Sequence, residues 1–534
     1  MPDITPRPAD RPRILIADPI AAEGVAILRE RADVDERFKL GEPELRELIG
    51  RYDALVVRSE TRVGAEIIEA GTRLKVVGRA GAGVDNIDVA SATRAGVLVV
   101  NAPSGNTIAA SEHTMAMMLA LARPVPQVDE AVKAGRWERS RFLGTELREK
   151  ILGVVGLGNI GLEVSRRAQA FGMRVIAADP VVSAERAAQL NVRLTSFEEL
   201  MAEADFVTLH VPLTPATRHL VNAKSLARAR PGLRLLNVAR GGIVDEAALL
   251  DALQSGKVAG AALDVFEKEP PGDNPLFRLP QVITTPHLGA STEEAQISVA
   301  VEIADQVIAV LDGGLPRFAL NAPVVLPEEM AFLRPFIPVA EGIGRFYAQV
   351  ARRPARRLQL DYVGAIAGYD CSVLTAAALT AFLSRFSAER VNPVNARAVA
   401  ADHGIEVVEQ RSPQPSEFAN LMMLEAIGEQ GVTRIGGTLL LNEPHIVTFN
   451  DFRIDLVPSG TFLMSWHTDR PGIIGAIGTL LGENNINIAS MQVGRDRPRG
   501  DAVMILSVDE PVPDSIQARI REVPGMTDVQ LVTL

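Results

Sequence analysis

A glycine-spaced turn between two short apolar runs constrains this chain more than any other feature. Ile151 to Val155 is apolar, bounded by glycine, and suits a buried parallel strand. Gly156, Gly158 and Gly161 then give G-x-G-x-x-G. A helical pattern carrying Leu162, Ser165, Ala168 and Gln169 stops at Gly172, and a second apolar run, Arg174 to Ala178, ends on Asp179. This is one β-α-β unit with an acid at the end of its second strand. The first glycine permits a tight turn, the second lets backbone approach a pyrophosphate, and the third lets helix and strand pack closely. Free N–H groups at the helix start face the anion. Asn159 and Ile160 occupy that start. Asp179 would accept from the adenosine ribose hydroxyls and repel a 2′-phosphate, which favours NAD over NADP. The glycines alone are a weak signal. Strand, helix and spaced acid together point to a dinucleotide site rather than a glycine-rich turn of another doubly wound domain.

The 534 residues exceed what one core can organise and imply about three or four domains. A net charge of −11 argues against a general nucleic-acid or membrane-surface binder. Cys371 is the only cysteine, so no intrachain disulfide and no cysteine-based metal site can form, and the histidines show no metal-ligand spacing. No apolar run reaches the length of a membrane span, and the first residues, MPDITPRPADRPR, read as a frayed leader without an apolar core. A soluble cytoplasmic protein is the expectation.

Strands are expected at Arg13 to Asp18, Ala54 to Arg58, Leu74 to Arg79 and Val97 to Val100, alternating with helices, as in a parallel α/β sheet. Arg58 and the Arg79–Val84 stretch fall at strand carboxyl ends, where such sheets carry ligands. Ala109 to Leu121 reads as a core helix. Pro124 to Thr145 reads as a polar stretch in which Trp137, Arg139 and Arg141 form a solvated loop, a subunit contact or a lid. Beyond Asp179 the alternation continues, with strands at 204–210, 233–238, 259–265 and 282–284. Asp245 would cap the helix 246–254, and Ser291 with Glu294 would form a capping box opening a helix to about Leu311. Gly313 to Pro327 looks like a domain boundary. Residues 328 to about 457 mix helices with alternating strands, including a turn at Glu443-Pro444, and leave His403 and His445 isolated. Residues 461–534 read βαββαβ, a ferredoxin-like order.

Three polar side chains follow strands on the glycine motif's edge: Arg240, Glu269 and His287. Oxidation of a hydroxy acid needs such a set. A base must take the hydroxyl proton, and His287 suits it near neutral pH. Glu269 would orient the ring and favour imidazolium. Arg240 would grip a carboxylate and polarise the carbonyl.

The segments GLGNIG, HVPLTPATRHL, NVARGGIVDEAAL, ALDVFEKEP and TPHLGAST resemble the D-isomer-specific 2-hydroxyacid dehydrogenases over residues 13 to about 320. VVRSETRV, GRAGAGVDNID and GRWERSRFLGTEL resemble the members that act on D-3-phosphoglycerate. The rest resembles their long form, with an intervening allosteric-type domain and a C-terminal ACT domain. The resemblance implies an α/β fold of two Rossmann-like doubly wound lobes, followed by an α+β intervening domain and a ferredoxin-like ACT domain. The substrate lobe would be 1–104 with a return at 289–320, the NAD lobe 105–288, the intervening domain 321–457 and the ACT domain 461–534. Arg240, Glu269 and His287 would be catalytic. NAD would be held by Gly156, Gly158, Asn159, Ile160, Gly161, Asp179, Val238, Ala239, Arg240, Asp264, His287 and Gly289, with Asp264 near the nicotinamide carboxamide. Arg58, Arg79 and Arg240 would meet the substrate, 3-phosphoglycerate, and Arg139 or Arg141 would arrive from a neighbouring subunit. Ala82 departs from the family, which often has Thr or Ser there, and removes a hydroxyl contact to the cofactor.

The ACT resemblance implies paired domains in a dimer or tetramer and L-serine as effector, held by His467, Asp469 and Asn487. The reaction implied is NAD-dependent oxidation of 3-phosphoglycerate to 3-phosphohydroxypyruvate, the entry to serine biosynthesis. Two other readings stand beside it: a dehydrogenase for glyoxylate or 2-oxoglutarate, and an idle NAD or amino-acid sensor. The intact Arg240, Glu269 and His287 argue against the sensor.

Overall fold

The computed structural model describes residues 11–534 apart from 315, 324, 326, 352–354, 388–389 and 430. Residues 1–10 of the expected leader lie outside the described residues, and Arg13 already belongs to the first strand. The first lobe is a five-stranded parallel sheet ordered Asp33–Glu36, Arg13–Ile16, Ala54–Val57, Val76–Arg79 and Leu98–Asn101. Its four inner and far strands are largely apolar on both faces because helices cover both, while the edge strand Asp33–Glu36 is polar and partly exposed. One cover comes from far along the chain. Helix Glu293–Leu311 lays Val299, Ile303, Ala304 and Val307 against Ile14, Val56 and Val76. A Cβ at Gly78 would stand 2.8 Å from Val307 Cγ2, so that strand position must stay bare for the helix to dock.

The second lobe is a seven-stranded parallel sheet. Its order is Val282–Thr284, Val258–Leu263, Leu233–Asn237, Phe206–Leu209, Ile151–Val155, Arg174–Ala178 and Arg193–Leu194. Strand order reverses beside Ile151–Val155, and the glycine turn leaves the carboxyl end of that strand. A doubly wound sheet places its ligand crevice at such a reversal.

A third body sets helices Ile337–Val350 and Ser372–Leu383 on a six-stranded sheet. Strands Arg357–Gly364 and Glu406–Ser412 run parallel, and the other neighbours are antiparallel. The last body is antiparallel, ordered Ile488–Arg495, Asp501–Val508, Thr461–Thr468 and Met526–Thr533, with helices Ile473–Glu483 and Asp514–Arg521 on one face. Its other face is not free. Phe462, Met464, Val503, Ile505 and Val532 join one core with Phe346, Ile435 and Phe449 of the third body. These two bodies share apolar interior.

Several local expectations change. The hairpin turn before Glu443 is Leu441-Asn442, both at positive φ (52° and 66°), a conformation Asn tolerates; Glu443-Pro444 opens the next strand. Thr292 caps the helix at 293, its hydroxyl accepting from the Ala295 N–H at 3.1 Å, and no capping box forms at Ser291. Asp245 caps as expected, accepting from the Ala248 N–H at 3.0 Å. Pro124–Thr145 is not loop throughout, since Val125–Lys133 is helical. His445 is not isolated: its Nδ1 lies 2.5 Å from Asp455 Oδ1. His403 Nδ1 lies 2.9 Å from the Val399 carbonyl oxygen. No helix among the described residues is long and apolar enough to cross a membrane.

Candidate active site

The glycine motif divides its labour by position. Gly156 sits at φ 91°, which a side chain would resist, and a Cβ there would meet the His210 carbonyl oxygen at 2.6 Å. A Cβ at Gly161 would meet the Gly156 carbonyl oxygen at 2.1 Å, so helix Asn159–Ala170 sits hard on the strand end. A Cβ at Gly158 would meet nothing within 4 Å. That open space above a helix start fits a pyrophosphate. Asp179 accepts from the N–H groups of Leu157, Val181 and Val182 at 2.8–3.0 Å. Burial pushes its carboxyl up, but these three donors outweigh it and hold the group below the usual carboxylate range. It faces the glycine turn as an anion.

The turn after strand Leu233–Asn237 carries Val238, Ala239 and Arg240. Asn237 staples it: its side-chain oxygen accepts from the Ala239 N–H at 3.1 Å, and its amide donates to the Arg240 carbonyl at 2.9 Å. The loop after strand Val282–Thr284 carries His287 at φ 57°. Its Nδ1 lies 2.8 Å from Glu269 Oε2. Glu269 also accepts from the Phe266 N–H at 3.1 Å. Burial raises its carboxyl, and the two hydrogen bonds bring it below its ordinary value, so it stays ionised beside the ring.

Asp264 is fully buried. It accepts from Thr285 Oγ1 at 2.6 Å and from the N–H groups of Leu288 and Gly289 at 2.7 and 2.9 Å, with His113 Nε2 at 3.3 Å. Its carboxylate is committed to the loop that presents His287.

The first lobe supplies cations. Buried Asp18 accepts from the Arg58 N–H at 2.6 Å and from Thr61 Oγ1 at 2.6 Å, fixing the turn that bears Arg58. Asn86 donates to the carbonyls of Arg58 and Thr61. Arg79 has a buried Nε with no partner. Burial, then the nearby Arg240 and Arg58, push its guanidinium down to about 10, still charged at neutral pH. Gly81 and Gly83 leave room for guanidinium groups, since Cβ atoms there would stand 1.5 Å from Arg79 Nη1 and 1.8 Å from Arg240 Nη2.

Arg58, Arg79, Asp85, Arg240, Glu269 and His287 all line one cleft of about 920 Å³ between the lobes. Arg139 and Arg141 do not line it. They lie in a short 3-10 turn beside Trp137, which is 78% exposed. Asp85, Asp18, Asn237 and His113 were missed by sequence reasoning. Asp18, Asp85 and His113 work through partners distant in sequence, while Asn237 bonds within its own turn, at Ala239 and Arg240, where no motif marks it.

In the last body, His467 is buried with its Nδ1 unpartnered. Asp469 accepts from Arg495 Nη1 and from the Arg499 N–H, both at 3.0 Å. Asn487 donates to Asp509 at 2.6 Å. Register pairs Thr468 with Asp501 and Ile488 with Val508, so Asn487 lies at the opposite end of the sheet from His467 and Asp469. Seven residues of strand separate the ends, roughly 20 Å. One chain does not bring the three together.

Comparison with known proteins follows the same division. Residues 115–289 match the model described as the D-isomer specific 2-hydroxyacid dehydrogenase NAD binding domain. Residues 332–450 match the D-3-phosphoglycerate dehydrogenase intervening domain, and 462–525 the ACT domain. The chain is 47% identical to D-3-phosphoglycerate dehydrogenase of Synechocystis sp., over 98% of this chain and 95% of that one. It is 43% identical to the Bacillus subtilis enzyme of that name, over 98% and 99%. Among solved structures, a glyoxylate reductase from Paecilomyes thermophila matches at 30% identity and TM-score 0.55, covering 60% of this chain and all of that one. A D-lactate dehydrogenase from Aquifex aeolicus, complexed with NAD and lactic acid, matches at 29% and 0.51, covering 56% and 96%.

Proposed function

Since the chain belongs to the D-3-phosphoglycerate dehydrogenases, NAD-dependent members of the D-isomer-specific 2-hydroxyacid dehydrogenase family, we propose that it oxidises D-3-phosphoglycerate to 3-phosphohydroxypyruvate, the first step of L-serine biosynthesis. The observation that carries the reading is the meeting of three arginines with a His–Glu pair in one cleft. A phosphorylated three-carbon acid has two anionic ends and needs several cations. A plain 2-hydroxy acid needs one.

NAD would supply the acceptor for the hydride that leaves the carbinol carbon. Gly158, the start of helix Asn159–Ala170 and Asp179 would hold its pyrophosphate and ribose. Residues Val238 to Arg240 and His287 to Gly289 would border the nicotinamide. His287 takes the hydroxyl proton on its Nε2, because Nδ1 is turned to Glu269. Ionised Glu269 stabilises the imidazolium as it forms. Arg240 holds the substrate carboxylate, while Arg58 and Arg79 face the phosphate. Arg139 and Arg141 would serve a neighbouring subunit's cleft in a homo-oligomer.

L-serine is the proposed feedback effector. His467 and Asp469 of one chain and Asn487 of a second would share it, because one chain holds them at opposite sheet ends. Initial rates with NAD and 3-phosphoglycerate, glycerate, lactate, glyoxylate or 2-oxoglutarate, with and without L-serine, test both parts. A preference that ignores the phosphate would overturn the substrate, and rates indifferent to serine would overturn the effector.

A further inference from the structure

The Asp85 carboxylate accepts from Arg240 Nε at 3.0 Å. The two residues belong to different lobes. Asp85 leaves strand Val76–Arg79 of the first, and Arg240 leaves strand Leu233–Asn237 of the second. Among the described residues this is the one ion pair that joins those lobes. The contact uses a particular edge of the guanidinium. Nη1 is tied to the Ala239 carbonyl at 2.7 Å, while Nε and Nη2 face the Gly83–Asp85 stretch. The Nε–Nη2 edge is where a planar carboxylate docks with two parallel hydrogen bonds. Asp85 therefore sits where a ligand carboxylate would go.

We infer that Asp85 is a resident counter-anion of the cleft, which a substrate carboxylate must displace from Arg240 to bind; the inference rests on the role of Arg240 proposed above. Exposure sets the direction of exchange. The Asp85 side chain is 64% exposed and that of Arg240 only 27%, so the carboxylate can swing into water while the guanidinium stays in place. Charge gives the pair its purpose. Arg58, Arg79 and Arg240 converge on one cleft, and Arg79 is depressed first by burial and then by Arg240 and Arg58. Asp85 offsets one of the three charges while the cleft is empty. A ligand that replaces it bridges the lobes in its stead, so the tie between lobes passes from protein to substrate. Asp85 thus sets the affinity threshold for carboxylates without taking part in hydride or proton transfer.

The test is Asp85→Asn, which keeps shape and removes charge, with Asp85→Ala as a second variant. An ion pair this exposed resists displacement weakly. The Kd of oxamate for the NAD-loaded protein is expected to fall about two- to fivefold in both variants, read by calorimetry. KM for 3-phosphoglycerate should fall by a similar factor, with the gain in KM rather than kcat. An unchanged or weaker oxamate Kd in both variants overturns the inference. Oxamate binding needs no turnover, so this outcome is separate from failure of the proposed reaction, which wild-type rates report.

Discussion

Nδ1 of His287 lies 2.8 Å from Oε2 of Glu269, and the other carboxylate oxygen is held by the Phe266 N–H. The ring is thereby oriented with Nε2 turned away from Glu269, and the carboxylate that would balance an imidazolium is ionised beforehand. Glu269→Gln keeps a hydrogen-bonding group but removes the charge. It should lower kcat/KM about 10²-fold, within the usual range of general acid–base assistance. One transition state serves both directions, so oxidation of hydroxy acid and reduction of keto acid should lose equally. Steady-state rates in each direction check this.

Gly83→Ala separates folding from chemistry. The added Cβ would stand 1.8 Å from Arg240 Nη2, the end of a flexible side chain. The guanidinium moves and the fold survives. Melting temperature should change by no more than about 2 °C, while kcat/KM falls about 10-fold to 10²-fold because the carboxylate grip is misplaced. Calorimetry beside initial rates reads both. A large loss of melting temperature would show that the close approach matters to folding itself.

Gly158→Ala and Gly161→Ala should fail in different ways. At 158 the new methyl enters open space, where the proposed binding mode brings the pyrophosphate. NAD affinity should drop about tenfold or more with stability nearly intact. At 161 the methyl meets the Gly156 carbonyl oxygen at 2.1 Å, backbone that cannot swing aside. That variant should lose about 1–3 kcal/mol of stability as an overpacked site. Thermal unfolding with and without NAD distinguishes the two.

The parallel strands, the glycine turn and the His287, Glu269 and Arg240 positions were legible because each depends on short-range pattern: apolar runs, glycine spacing and polar residues just past a strand. What was not legible depends on partners far along the chain. Asp85 meets Arg240 across 155 positions, and His113 meets Asp264 across 151. Nothing local marks either pairing. Residues 461–534 read as a ferredoxin-like domain, and nothing in the pattern showed that its Phe462 and Val503 would lie in one core with Phe346 and Phe449. Alternation tells which face of a strand is buried and not by what. The Leu441-Asn442 turn escaped because the proline two positions on gave the stronger signal and Leu rarely adopts positive φ.

Asn392 of the third body donates to the Gly96 carbonyl of the first lobe at 2.6 Å, and neighbouring Asn395 donates to Arg94 at 3.3 Å. Gly96 follows helix Val89–Arg94, which itself follows the Asp85-bearing loop. Asn392→Ala removes the stronger tie, worth about 1 kcal/mol. Amide exchange over residues 89–96 should quicken several-fold, with turnover retained, as read by hydrogen–deuterium exchange. Unchanged exchange there would mean that other contacts hold the two bodies together.

Asp264→Asn tests what presents His287. The buried carboxylate takes Thr285 Oγ1 and two backbone N–H groups, those of Leu288 and Gly289, and an amide can match only part of that set. Its NH2 would face a donor, leaving a buried N–H unpaired. The cost is on the order of 1–3 kcal/mol at neutral pH, with loss of activity as the loop shifts. The pH dependence has a definite sign. Burial raises the Asp264 carboxyl, but hydrogen bonds from His113, Thr285 and the Leu288 N–H bring it below its ordinary value. A depressed carboxyl contributes stability that is present above its unfolded value, near pH ~3.9, and lost as pH falls through the lower folded value. The asparagine variant has no such titration. The gap in melting temperature between wild type and variant should therefore hold from pH 7 down to about 5 and narrow below about 4. A gap that widened in acid would mean that Asp264 is protonated in the folded protein and that its hydrogen bonds are wrongly assigned.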